Sequence, residues 1–145
     1  MADLLFRVSK AFKVALAVGL VKLFPPKHHV RALEIVTDVM SQDADNIPCL
    51  MSLGHILQCS GQWSDAENVF KRVSILSPDH DIGLEAREEG AWCIVQSGGL
   101  EEGIAELEVV VQALDGEEGK AEQKARAWWR LGKSLWETGG ALPLL

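Results

Sequence analysis

The chain has 145 residues, enough for one compact domain that buries roughly two thirds of its unfolded surface, and its 48% hydrophobic and 24% charged composition agrees with an all-helical soluble protein. Its net charge of −7 is unevenly placed: residues 1–33 carry six of the fourteen basic side chains against Asp3 alone, a local +5 beside −12 for the rest. A body this acidic repels a phosphate backbone, which excludes nucleic-acid binding over the whole surface and leaves only the basic N-terminus for RNA or anionic lipid; a solvated face is the simpler reading of that cluster.

The first predicted element is a helix through about residue 24, ended by Pro25 and Pro26, since proline lacks an amide donor and restricts the residue before it. Within it Val14 to Val21 is an apolar run of eight residues, far too short to span a bilayer, and no small-x-small cleavage site follows. Residues 1–29 therefore read as a divergent, basic N-terminal helix without a membrane span. Further helices are expected at about 28–41, 48–60, 64–76, 84–97, 100–114 and 121–138. Ser64-Asp65-Ala66-Glu67 reads as a capping box for the fourth helix, with the Ser64 hydroxyl as the cap. Ile104, Leu107, Val111 and Leu114 form one apolar stripe, with Glu101, Glu102, Glu106 and Glu108 mostly off it. Asp115-Gly116-Glu117-Glu118-Gly119 reads as a loop. After Gly139-Gly140 only an apolar tail, 140–145, remains, so the last helix is expected to lack a covering neighbour and to expose apolar surface or bury it by self-association.

These helices repeat. With Ile47 as position 1 of a 34-residue unit, Leu50, Leu53, Gly54 and Leu57 fall at positions 4, 7, 8 and 11, and Ala66, Phe70, Val73 and Pro78 at 20, 24, 27 and 32. Gly54 and Ala66 are small where two helices of one unit should cross, and Phe70 should fill the space towards the next helix. Ala32, Val36 and Val39 repeat the pattern upstream. The turn glycine Gly61 is echoed by Gly98 and Gly139, which sets Ala91, Ile94, Gly103, Leu107 and Val110 in a third unit and Trp128, Leu131, Gly132 and Leu135 in a fourth. Trp128-x-x-Leu131-Gly132 reproduces the W-x2-L-G opening of a tetratricopeptide unit. The chain is thus identified as a member of the tetratricopeptide repeat family: an all-α helix-turn-helix solenoid, an α-α superhelix of about three complete repeats plus a partial one, with the array over 30–139.

No catalytic signature accompanies the repeats. G-x-S-x-G, H-E-x-x-H, Walker A and G-x-G-x-x-G are all missing, and Asp79-His80-Asp81 follows Ser77-Pro78 as a turn. Cys49, Cys59 and Cys93 form no C-x-x-C pair, which points to a reducing compartment and to packing roles; His28, His29, His55 and His80 form no metal-ligand pattern. No enzyme activity and no cofactor or metal is expected. Some tetratricopeptide proteins grip the C-terminal carboxylate of chaperones with basic side chains on first helices. Here those positions hold Ala17, Val21, Ser52, Glu85 and Glu89, and the glutamates would repel a carboxylate. Only Arg126 and Arg130 match, as candidate ligand contacts.

Longer stretches carry a narrower likeness. Residues 41–51, 86–93, 111–116 and 124–132, the last reading Lys-Ala-Arg-Ala-Trp-Trp-Arg-Leu-Gly, resemble an inner segment of the fungal superkiller-complex tetratricopeptide subunit, a likeness covering about residues 30–139. It implies a cytoplasmic protein–protein interaction scaffold, with the nucleus left open as a second location. The implied partners are an RNA helicase and WD-repeat subunits, and the implied role is assisting the exosome in 3′-to-5′ mRNA decay. The alternative from another class is a membrane-associated or organelle-targeted adaptor that uses the basic N-terminus; fractionation of the tagged chain separates the two.

Overall fold

The computed structural model describes residues 2–79 and 81–139, with side chains from residue 9 onward; the expected apolar tail at 140–145 and His80 lie outside the described residues. Those residues form seven helices and no strand: α1 (Ala2–Lys22), α2 (His29–Met40), α3 (Ile47–Cys59), α4 (Trp63–Leu76), α5 (Asp81–Gln96), α6 (Leu100–Asp115) and α7 (Ala121–Gly139). Neighbouring helices pack on one another, consistent with a tetratricopeptide-like helical solenoid. They gather into two compact units, Met1–Val69 and Phe70–Leu145, with the division inside α4.

In the first unit α1 packs on α2 and α3, and α2 on α3. Ala17, Val36, Val39 and Cys49 form one buried cluster, and Val21, Ala32 and Ile56 a second. α1 stops at Lys22, two residues short of the expected limit, and the chain turns through the prolines: Lys27 donates its amide to the Phe24 carbonyl at 2.8 Å and His29 to the Pro26 carbonyl at 3.1 Å. The imidazole of His29, buried, donates from Nε2 to the Val21 carbonyl at 3.2 Å and so fastens the start of α2 to the end of α1. α3 begins where Asn46 caps it by accepting from the Cys49 amide at 3.1 Å, with Pro48 in the first turn, where no amide is needed. Asn46 also donates to Asp43, which Lys10 of α1 reaches at 3.1 Å. The Asn46 amide and the Lys10 ammonium together hold the Asp43 carboxyl below its ordinary value.

Gly61 and Gly98 end α3 and α5 in the same way. At φ +76° and +102° both are left-handed, and each closes a paired bond: Gly61 to Gln58 with Gln62 to Leu57, and Gly98 to Val95 with Gly99 to Ile94. Gly139, expected as the third such turn, is instead the last residue of α7. The Ser64 cap also requires correction. α4 begins at Trp63, and the Gln62 carbonyl accepts the first helical bond from Ala66, so Ser64 already lies inside the first turn. α5 starts at Asp81, three residues earlier than expected, where an acidic first turn complements the positive helix end.

The second unit holds α5 on α6, α6 on α7 and α5 on α7. Its core joins Ala91, Val95, Leu107, Val110, Val111, Leu114, Ala127 and Leu131. Gly103 of α6 lies so close to α5 that a Cβ there would sit 2.4 Å from Val95 Cγ2 and 3.1 Å from the Ala91 carbonyl oxygen. Glu101, Glu102 and Glu108 are exposed on the outer side of α6, and Glu106 meets Arg87 at 3.1 Å. Cys49 and Cys93 are buried, but Cys59 is exposed at the end of α3, where the helix has left the core, so it has no packing role.

Candidate functional site

The side chains of the repeat signature divide by depth. Leu50, Gly54, Ala66, Phe70, Val73 and Leu131 are buried, Leu53, Leu57 and Gly132 half-buried, and Pro78 and Trp128 exposed. Phe70 sits against α5, where a Cβ on Gly90 would lie 3.7 Å from its own Cβ. Ala17, Val21 and Ser52, at the positions where a carboxylate clamp would need basic groups, are buried and present no charge.

Arg126 and Arg130 stand one helical turn apart on α7 and thus share a face. That face meets Glu88 and Glu89 of α5. Arg126 donates to Glu88 from Nε at 2.7 Å and from Nη2 at 3.3 Å, a two-pronged pair. Arg130 donates from Nη1 to the same Glu88 Oε2 at 2.5 Å, and reaches Glu89 through Nη1 at 3.0 Å and Nη2 at 3.3 Å. Glu88 is fully buried, and the Arg130 side chain is 12% exposed. Arg126, at 34%, keeps a third of its side chain open. Burial works against the Arg126 cation, but the hydrogen bond and charge of Glu88, with the charges of Glu89 and Glu85, outweigh it and hold its guanidinium above its ordinary value.

Aromatic rings close the network on one side. The Arg130 guanidinium lies 5.3 Å from the Trp92 ring centre, and Lys133 Nζ stands 5.7 Å from Trp92 and 5.2 Å from Trp129. The two indoles are 5.9 Å apart at 49°. Sequence reasoning singled out the two arginines but took Glu89 as a free negative charge and did not involve Glu88, Trp92, Trp129 or Lys133. No sequence signal marked Glu88 and Glu89 as buried; the fold takes them out of water, where carboxylates need paired cations. Chemically the cluster offers charge-assisted hydrogen bonds already filled from within, and a rim of indole faces and one ammonium.

A second concavity, about 190 Å³, lies between α1 and α2 and is lined by Ser9, Lys10, Lys13, Asp38, Val39 and Gln42. Its cations are neutralised by Asp43 and by Asp38, the latter 2.7 Å from Lys13. Among the described residues no group of three or more His, Cys, Asp or Glu could hold a metal ion, and no helix is long and apolar enough to cross a membrane.

No protein-family profile matches the chain. Two curated proteins resemble it: Superkiller protein 3 of Saccharomyces cerevisiae, 28% identical over 125 residues, and Superkiller protein 3 of Schizosaccharomyces pombe, 24% identical over 126 residues. The likeness covers 86% and 87% of this chain but 8% and 9% of those proteins, so the chain spans less than a tenth of the length of the curated relatives it matches.

Proposed function

We propose that the chain is a non-catalytic scaffold for protein–protein interaction in the manner of the superkiller-complex tetratricopeptide subunit, and that it assists cytoplasmic, exosome-mediated 3′-to-5′ mRNA decay. The observation that carries this reading is the resemblance to Superkiller protein 3 over more than four fifths of the chain, on a fold of paired helices. Its partners on this reading are an RNA helicase and WD-repeat subunits, and Arg126, through its open third, contributes to the contact while Glu88 and Glu89 set the position of Arg130 beside it. RNA contact is confined to the basic N-terminus. Affinity from so few helices is weak, because a solenoid gains binding by wrapping many repeats around a partner.

Affinity purification of the tagged chain after mild cross-linking, with a chaperone C-terminal peptide as competitor, tests the reading. Recovery of the helicase and WD-repeat subunits, undiminished by the peptide, supports it. Preferential capture of the chaperone peptide, or ATP hydrolysis by the purified chain, overturns it.

A further inference from the structure

The hairpin of α1 and α2 closes in a turn unlike those of the later helix pairs. Val21 meets His29, Lys13 meets Asp38 and Lys10 meets Asp43, so the two helices run antiparallel. Residues 23–28 therefore lie beyond the ends of both helices rather than on a side face where another helix packs. The turns after α3 and α5 are small and polar, Ser60-Gly61-Gln62 and Ser97-Gly98-Gly99, each with a left-handed glycine. Here the left-handed residue is Phe24, at φ +47°, inside the apolar run Leu23-Phe24-Pro25-Pro26. That conformation is costly for an aromatic residue, and Phe24 is 74% exposed with Leu23 at 53%, so packing within the unit does not explain it.

The backbone of this tip asks little of water. Pro25 and Pro26 carry no amide, the Leu23 amide is bonded to the Gly19 carbonyl at 3.0 Å, and the Phe24 and Pro26 carbonyls accept from Lys27 and His29. Cations surround it: Lys22 and Lys27 bracket the apolar run, and His28 and Arg31 follow. Lys10 and Lys13, earlier in α1, are neutralised by Asp43 and Asp38, and Arg31 faces the solvated Glu34 at 3.9 Å. Lys22 and Lys27 have no carboxylate within ion-pair distance among the described residues. An apolar tip with a largely satisfied backbone suits the boundary of a hydrocarbon layer, and free ammonium groups beside it suit anionic headgroups. A stacking platform for RNA would gain nothing from Leu23 or from a backbone poor in donors.

We propose that the α1–α2 turn is a shallow anchor for an anionic lipid bilayer: Leu23 and Phe24 enter the boundary between headgroups and acyl chains, and Lys22, Lys27 and Arg31 contact acidic headgroups. The attachment is peripheral and reversible, because so short a tip buries little apolar area and the −12 carried by the rest of the chain repels the same surface. The proposal does not depend on which complex the chain joins.

The test is flotation of the full chain with vesicles of phosphatidylcholine alone and of phosphatidylcholine with about 30% phosphatidylserine, at low and at physiological salt. Capture is expected on the serine-lipid vesicles only, falling as salt rises. Phe24→Asn, which removes the ring while suiting a left-handed backbone, should weaken capture about tenfold with circular dichroism unchanged. Lys27→Glu should weaken it about tenfold as well, whereas Lys71→Glu, the same charge change on an exposed lysine of α4, should alter it by less than about twofold. No capture, equal capture by phosphatidylcholine alone, insensitivity to Phe24→Asn, equal effects of the two lysine changes, or full competition by soluble glycerophosphoserine would each overturn the proposal. So would a single-stranded RNA that binds the chain through Phe24 more tightly than the vesicles do.

Discussion

Replacing Arg130 by methionine should destabilise the second unit by about 3 kcal/mol, the cost of breaking buried ion pairs by removing one cation. In the folded chain Arg130 donates two hydrogen bonds to Glu89, at 3.0 and 3.3 Å, and the shortest of the three bonds to Glu88, at 2.5 Å. After the change Glu88 keeps the two-pronged grip of Arg126, while Glu89 loses its two hydrogen bonds from Arg130 and keeps the Arg126 Nε contact at 3.9 Å. Most of the loss therefore falls on Glu89. Arg126→Met should cost less, about 1–2 kcal/mol, because Arg126 is more solvated and Glu88 retains Arg130. The mechanism has a pH signature. A buried carboxylate that loses its nearest cation has its folded-state pKa raised, so the penalty is full at neutral pH, shrinks as pH falls through the raised value and vanishes below the unfolded glutamate value. Urea titrations of the wild type and both variants at pH 7 and pH 5 measure this, and Glu89→Gln in the Arg130→Met background should recover part of the loss. Unchanged stability in Arg130→Met, or a loss that does not shrink at pH 5, would show that Glu88 and Glu89 reach water and that the network is not a buried one.

Ala66→Leu should overpack a fully buried position and cost about 1–3 kcal/mol, with a denaturation midpoint clearly below that of a Glu101→Gln control. Gly103→Ala should also destabilise, because its Cβ would press on the Val95 and Ala91 backbone, whereas Gly132→Ala, facing open space inside a helix, should stabilise by about 0.5–1 kcal/mol in the same assay. The depressed Asp43 carboxyl contributes stability that is fully present above the unfolded aspartate pKa and is lost as pH falls from there through its lower folded value, so Asp43→Asn should flatten the acid limb of a thermal-melting profile of the wild type.

The sequence carried the helices well because their limits are written in local chemistry. Gly61 and Gly98 mark chain reversals that only a left-handed residue closes easily, Pro25-Pro26 forbid continuation, and the α6 stripe shows a helix with one wet side. Local signals also misled where two neighbouring starts competed: Ser64-x-x-Glu67 fits a capping box, yet the chain enters α4 at Trp63, immediately after the Gly61 reversal. The α5–α7 cluster was hidden for a different reason. Arg126 and Arg130 meet acids 38 to 42 positions away, a separation with no sequence period, and α5 buries Glu88 and Glu89 where a pattern reading expects solvent. Charge alone predicted repulsion at Glu89; the cations that cancel it came from another helix.

The placement of the three thiols gives each unit an internal clock. Cys49 is closed inside the first unit, where burial and then the Asp43 charge push its thiol up, and Cys93 is closed inside the second. Neither can meet a water-borne disulfide reagent until its own surroundings open, while Cys59 reacts at once. Mass spectrometry of partly labelled chains, read peptide by peptide, would time the opening of residues around 49 and around 93 separately in one unmodified molecule, with residue 59 as the zero of the clock.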